Sequence, residues 1–191
     1  MGAADDLVPV LKRLRLSGLL QTLELRSQQA IDDLGSCAFV ERSENVLLVG
    51  PAGTGKSHIA QALGHRACRA GYKTLYLPAH RLLTELRAAR ADRSWEMQLQ
   101  RLSSADLLII DDIGLRPLAH DEPIDLFEII RRRYEQGSII LTSNRDVTEW
   151  YSMFGDALLA SSAMDRLLHH SHVIVLEGDS YRNPPSSRHK T

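Results

Sequence analysis

The stretch NVLLVGPAGTGKSHIAQALGHRACRAG, from Asn45 to Gly71, decides how the rest of the chain is read. A run of branched apolar residues stops at a glycine-rich loop and resumes with helical periodicity. Residues Gly50 to Ser57, GPAGTGKS, fit the pattern G-x-x-x-x-G-K-[ST] at every fixed position. A polyphosphate needs many donors converging on a small volume. Gly53 and Gly55 let backbone N–H groups face inward without a Cβ in the way. The helix that opens near Lys56 adds the positive end of its dipole. Lys56 is placed to reach the β- and γ-phosphates, and Ser57 to offer a hydroxyl to Mg²⁺. The expected nucleotide cradle is Gly50, Pro51, Ala52, Gly53, Thr54, Gly55, Lys56 and Ser57, with His58 following.

Working outward, the flanking pattern alternates strand and helix, which argues for an α/β fold with a mainly parallel five-stranded sheet. Strands are expected at 46–49, 74–77, 107–110, 138–142 and 173–176, and helices at about 56–69, 79–90, 94–102, 121–135 and 156–169. The short, nearly continuous apolar strands suit burial on both faces. Gly71 and Gly137 stand where helix C-caps belong. Residues 1–30 read as a leucine-striped helical appendage, 31–45 as a linker, 46–182 as the nucleotide-binding domain and 183–191, NPPSSRHKT, as a disordered tail.

Two further segments point at the same ligand. ADLLIIDDIG ends an apolar strand in Asp111 and Asp112. Acids at the carboxyl end of a parallel strand face the ligand crevice. Asp111 is expected to hold Mg²⁺ through water, and Asp112 to polarise the attacking water. SIILTSNR brings Thr142, Ser143 and Asn144 to the same edge, where the Asn144 amide can orient a water.

Composition bounds the rest. The chain has 191 residues, 43% hydrophobic and 25% charged, with a formal net charge of −1. That is not globally basic, so nucleic-acid binding must come from local arginine patches. Candidates are a helical stripe of Arg87, Arg90 and Arg93, and the run Arg131, Arg132, Arg133. Cys37 and Cys68 suggest reduced thiols rather than a disulfide framework. With neither a secretory signal nor an apolar span of about 20 residues, the chain reads as cytoplasmic and away from membranes. The HHSH segment, His169 to His172, holds no carboxylate at ligand spacing, and neighbouring histidines at a helix end are expected to diverge. Trp95 and Trp150 read as packing residues.

The segments SENVLLVGPAGTGKSHIAQALGHRACRAGYKTLYL, LLIIDDIGLRPL, LFEIIRRRYEQGSIILTSNR and EWYSMFGDALLASSAMDRLLHHSHVIVLEGDSYR, with LKRLRLSGLLQTLEL near the N-terminus, resemble the IstB-like transposition helper ATPases of insertion sequences. These are AAA+ proteins related to the DnaC helicase loader. The resemblance implies a three-layer P-loop NTPase fold and ATP with Mg²⁺ as ligands. It implies a homo-oligomer formed with ATP, and duplex DNA and a transposase as partners. It also implies ATP hydrolysis, with Gly50–Ser57 as Walker A, Asp111 and Asp112 as Walker B and Asn144 as sensor 1. By the same resemblance Arg166 is an arginine finger reaching a neighbouring subunit, and Arg182 a sensor-2 arginine. Two departures stand out. Asp112 occupies a place where many AAA+ proteins carry the longer glutamate, which implies slow or partner-dependent turnover. The linker is short, with Phe39 its only aromatic where relatives use one to help cover adenine. On the residues alone, a helicase loader, a nucleotide-binding scaffold with little turnover and a small-molecule kinase remain alternatives.

Overall fold

The structure, a computed structural model, describes residues 34–178 and 180. The appendage at 1–30, the tail at 183–191 and Arg182 lie outside the described residues. The strands are β1 (Asn45–Val49), β2 (Thr74–Pro78), β3 (Leu107–Ile113), β4 (Ser138–Ser143) and β5 (Ser171–Val175). They form one parallel sheet in the order β2-β3-β4-β1-β5.

The strands alternate side chains between two apolar layers. Leu47, Leu108 and Ile110 face one layer with α3 (Ala79–Ala91), α4 (Trp95–Ser103), α5 (Glu122–Arg133), α6 (Trp150–Met153) and α7 (Ala157–Leu168). Val46, Leu48 and Ile109 face the other with α1 (Ala38–Glu41) and α2 (Lys56–Arg69). This is why the central strands β1, β3 and β4 read as continuous apolar runs, both faces being buried, while the edge strands β2 and β5 leave Tyr76, Val173 and Val175 exposed. Each fully buried Leu or Ile contributes roughly 1.5–3 kcal/mol. Leu34, Cys37, Phe39 and Val40 pack into the second layer. The Phe39 ring is wholly buried there, a core residue rather than a cover for a base.

Most element bounds fall within a residue or two of those expected. The differences have local causes. β3 runs on through Asp111 and Asp112 to Ile113, because a register shift between Ile110 and Ile113 keeps the strand paired to β4 past the acids. β5 begins at Ser171, before its apolar run, because Ser171 and His172 pair with Asn45 and Val46. A 3₁₀ turn at Val147–Glu149, capped by Asp146, leads into α6, which seats the buried Trp150. Gly71 does take a left-handed φ of 94° just past α2. Gly137 is no C-cap: α5 ends at Arg133, and Glu135 takes the left-handed conformation instead. A Cβ on Gly137 would lie 2.8 Å from Arg133 Nη2, so glycine there makes room for that guanidinium. Among the described residues, no helix is long and apolar enough to cross a membrane.

Candidate nucleotide site

The glycine loop leaves the carboxyl end of β1, between β4 and β5. Gly50 N–H donates to Ser143 O at 3.2 Å, which ties the loop to the end of β4. Gly50, Gly53 and Gly55 have φ of 143°, 84° and 94°, values that L side chains rarely adopt. Space is equally restrictive: a Cβ on Gly50 would lie 2.1 Å from Leu176 O, and one on Gly53 would meet Ser180 Oγ. Pro51 and Ala52 are exposed at the loop's outer turn, and Thr54 Oγ1 donates back to Pro51 O at 2.9 Å. Gly55 is the N-cap of α2. Lys56 is only 4% exposed, and its ammonium donates to Gly50 O at 2.8 Å and Pro51 O at 2.7 Å. A buried ammonium on loop carbonyls is positioned to exchange them for phosphate oxygens. Ser57 is half-buried in the first turn of α2, and His58 points outward, exposed.

Asp111 sits in β3, two residues before its end, opposite Pro78 of β2 and is 6% exposed. Both its oxygens are held. Thr142 Oγ1 donates to Oδ1 at 2.5 Å, and the Tyr76 hydroxyl donates to Oδ2 at 2.5 Å. Burial, and then the adjacent Asp111 carboxylate, push the Tyr76 phenol above its ordinary range, so it remains a donor. Asp112 follows with a left-handed φ of 58°, and its N–H donates to Thr142 Oγ1 at 2.8 Å. Thr142 therefore fixes both acids from the neighbouring strand. Gln61 Nε2 lies 3.2 Å from the Tyr76 hydroxyl. Gln61, one helical turn after Ser57 on α2, thereby joins Asp111 through the Tyr76 hydroxyl. Ser57 and Asp111 are both oxygen donors, the set a hard cation such as Mg²⁺ takes.

Asn144 is exposed directly after β4, one residue beyond the Ser143 carbonyl that receives Gly50 N–H. Arg166 lies near the far end of α7. Its Nη1 donates to Ser162 O at 2.8 Å and Ser162 Oγ at 2.6 Å, and its guanidinium sits 5.7 Å from the Phe127 ring centroid. Among the described residues no carboxylate forms an ion pair with it, so it is not a salt-bridge partner of Asp165. The structure thus brings the loop, the acid pair and Asn144 to one sheet edge and leaves Arg166 near the opposite one. Ser180 packs on Gly53.

The arginine patches differ from expectation. Arg87 donates to Glu122 at 2.6 Å, and Arg116 grips the same carboxylate with two bonds of 2.7 and 2.8 Å. Arg90 makes two bonds to the buried Asp125 and lies over the Trp95 ring at 4.6 Å. Arg131 pairs with Glu128, and Arg132 with Glu96. Arg133 is 1% exposed and donates to the carbonyls of Leu102, Ala105, Asp106 and Ser138. Burial lowers its pKa to about 10. Only Arg93 of the stripe stands exposed without an ion-pair partner among the described residues. The others are structural cations. Arg87, Arg90 and Arg132 find their acids 35 or 36 residues away in sequence, out of reach of a local reading, whereas Arg131 pairs with Glu128 on its own helix.

Sequence reasoning also missed Tyr76. Its place in the alternating TLYLP strand, two positions before the residue opposite Asp111, was the available signal.

Known proteins resemble this chain in sequence and in fold. The family model of the IstB-like ATP binding proteins matches residues 11–189. The chain is 46% identical over 179 residues to a Pseudomonas aeruginosa protein named as an ATP-binding protein of insertion sequence IS21, covering 90% of this chain and 68% of that one. It is 39% identical over 177 residues to its counterpart from insertion sequence IS5376 of Geobacillus stearothermophilus, covering 90% and 70%. Among solved structures, the DnaC helicase loader superposes with a TM-score of 0.63 at 19% identity, over 80% of this chain and 89% of that one. AMPPCP-bound DnaA from Aquifex aeolicus gives 0.64 at 24% identity, over 82% and 48%. Those likenesses establish the AAA+ type of P-loop fold. The chain belongs to the family of IstB-like ATP-binding proteins of insertion sequences.

Proposed function

We propose that this protein binds and hydrolyses ATP, assembles with its own kind on duplex DNA when ATP is bound, and assists a transposase. The observation that carries the ATPase reading is the convergence at one sheet edge. Gly50 is tied to β4 through Ser143, and Asp111 and Asp112 are tied to β4 through Thr142. Phosphate cradle and acids are thereby locked in register before any ligand arrives, which is the preorganisation electrostatic catalysis needs.

Within this reading the backbone N–H groups of Gly53 and Gly55 and the Lys56 ammonium bind the β- and γ-phosphates. Ser57, and Asp111 through water, would hold Mg²⁺, which neutralises charge developing on the phosphoryl oxygens. Asp112 and Asn144 orient the attacking water, and Arg182, outside the described residues, is assigned the sensor-2 role on the family resemblance alone. Arg166 acts on the ATP of an adjacent subunit. Its place near the sheet edge opposite the glycine loop, with hydrogen bonds among the described residues only to its own helix, supports action in trans. ATP then favours the assembled state because the Arg166–phosphate contact exists only there. The insertion-sequence setting of the relatives supports the transposase as partner. The short side chain of Asp112 favours slow turnover, with the ATP-bound assembly as the working state. The test is phosphate release by the purified protein, alone and with duplex DNA. Release that requires Lys56 and rises with DNA supports the reading, whereas ATP binding with no release under either condition leaves a nucleotide-binding scaffold.

A further inference from the structure

Helices α5 and α7 end in the same way. After α5, Tyr134 takes φ −55° and ψ 120°, and Glu135 takes φ 57°. After α7, His169 takes φ −62° and ψ 124°, and His170 takes φ 52°. Each pair has the backbone of a type II turn, whose second central residue needs a positive φ and is usually glycine. Gln136 N–H closes the first turn on Arg133 O at 2.9 Å. Here the two left-handed positions carry a glutamate and a histidine.

The two turns lie side by side where β4 and β5 begin, at the sheet edge opposite the glycine loop. The Tyr134 hydroxyl is 2.9 Å from His169 Nδ1, and the rings of His169 and His170 are 3.9 Å apart between centroids. Neighbouring histidines therefore face one side, contrary to expectation, because the backbone switches from extended to left-handed between them. Glu135, 34 residues before His169 in sequence, supplies the carboxylate that the HHSH segment lacks. All three side chains are exposed, each offers one ligand atom, and those atoms lie within 4.8 Å of one another. His172 takes no part, since its Nε2 is 2.8 Å from Glu44 Oε2.

We propose that Glu135, His169 and His170 form a site for a divalent transition ion of the zinc class, separate from the nucleotide site. Two imidazoles and one carboxylate are a donor set zinc takes with its fourth position open. The nitrogen donors select against Mg²⁺ and Ca²⁺, which prefer oxygen. Tyr134 at Nδ1 leaves Nε2 of His169 for the metal and fixes that ring, as outer partners of metal-bound histidines do. Donors around such an ion stand on the order of 3–4 Å apart, within reach of small rotations of these exposed side chains.

The test is a titration of the whole protein with Zn²⁺ against a chromophoric chelator, repeated with Co²⁺ to read its ligand-field absorption. One ion per chain is expected. His169→Ala and His170→Ala should each weaken it by about tenfold or more. Glu135→Gly and His170→Gly remove a ligand while relieving the left-handed backbone, so loss of metal in them cannot come from unfolding. Asp111→Asn should leave zinc affinity unchanged. The proposal is overturned if no ion is taken up, if the glycine variants bind as tightly as the parent, or if Asp111→Asn abolishes uptake.

Discussion

The Tyr76 hydroxyl donates to Asp111 Oδ2 at 2.5 Å, from the strand beside the one that carries the acid. With Thr142 on the other oxygen, the carboxylate has one orientation, and removing Tyr76's hydroxyl frees it to turn. Tyr76→Phe should raise the Mg²⁺ concentration that half-saturates turnover by about tenfold, the loss typical of an outer partner of a metal ligand. Affinity for ATP without Mg²⁺ should stay as it was. A Mg²⁺ titration of phosphate release reads both, and an unchanged Mg²⁺ dependence would deny Tyr76 a positioning role.

Lys56 is buried on the carbonyls of its own loop, so its ammonium is desolvated before phosphate arrives. Lys56→Ala removes at least two charge-assisted bonds, each worth roughly 1.5–3 kcal/mol. ATP affinity should fall by about a hundredfold or more, measured with a fluorescent nucleotide. Retained affinity would sink the assignment of this loop as the phosphate cradle.

Among the described residues, Arg166 hydrogen-bonds only within its own helix. Arg166→Ala should keep ATP affinity and lose turnover by about a thousandfold, the low end for an arginine finger. Mixing it with Lys56→Ala protein should restore part of the activity, since each variant supplies what the other lacks. No recovery on mixing would argue against action in trans.

Glu122 is the hub of Arg87 and Arg116, and the Arg116 hydrogen bonds lead in holding its carboxyl at about 2, below the ordinary 4.5. A carboxyl lowered in the folded state stabilises above its ordinary value, and that stability is lost as pH falls from about 4.5 toward 2. The guanidinium side chains are 58% and 55% exposed, so solvent screening trims the effect to on the order of 2 kcal/mol. Urea unfolding should show stability level from pH 7 to 5 and falling below. Glu122→Gln should be less stable at pH 7 and flatter below pH 5; an identical acid slope would remove Glu122 from this role.

Arg90 and Arg93, expected on one DNA-facing stripe, now separate. Arg90→Glu places a carboxylate against Asp125 and should lower the melting temperature. Arg93→Glu should leave stability unchanged and reduce the salt dependence of DNA binding by about one phosphate's worth. Equal effects of both on DNA binding, with folding intact, would restore the stripe.

The parts legible in sequence were those whose cause is local. The glycine loop, its strand and its helix follow from the one stretch Asn45 to Gly71, and Asp111 and Asp112 follow from an apolar run with a charged end. What was not legible depends on partners far along the chain. Arg87 and Arg90 look like free cations until α5 brings up Glu122 and Asp125. Tyr76 looks like a strand aromatic until β3 pairs beside it. Glu135 and the histidines meet only because two helices end in matching turns.

The most direct measurement is sedimentation velocity of the protein with duplex DNA at one fixed salt, with ATP and Mg²⁺ and without nucleotide. A large DNA-bound assembly that forms only with ATP, and is lost in Lys56→Ala, is the predicted result. A protein that binds ATP yet stays monomeric and off the DNA would contradict the proposed ATP-driven assembly on DNA.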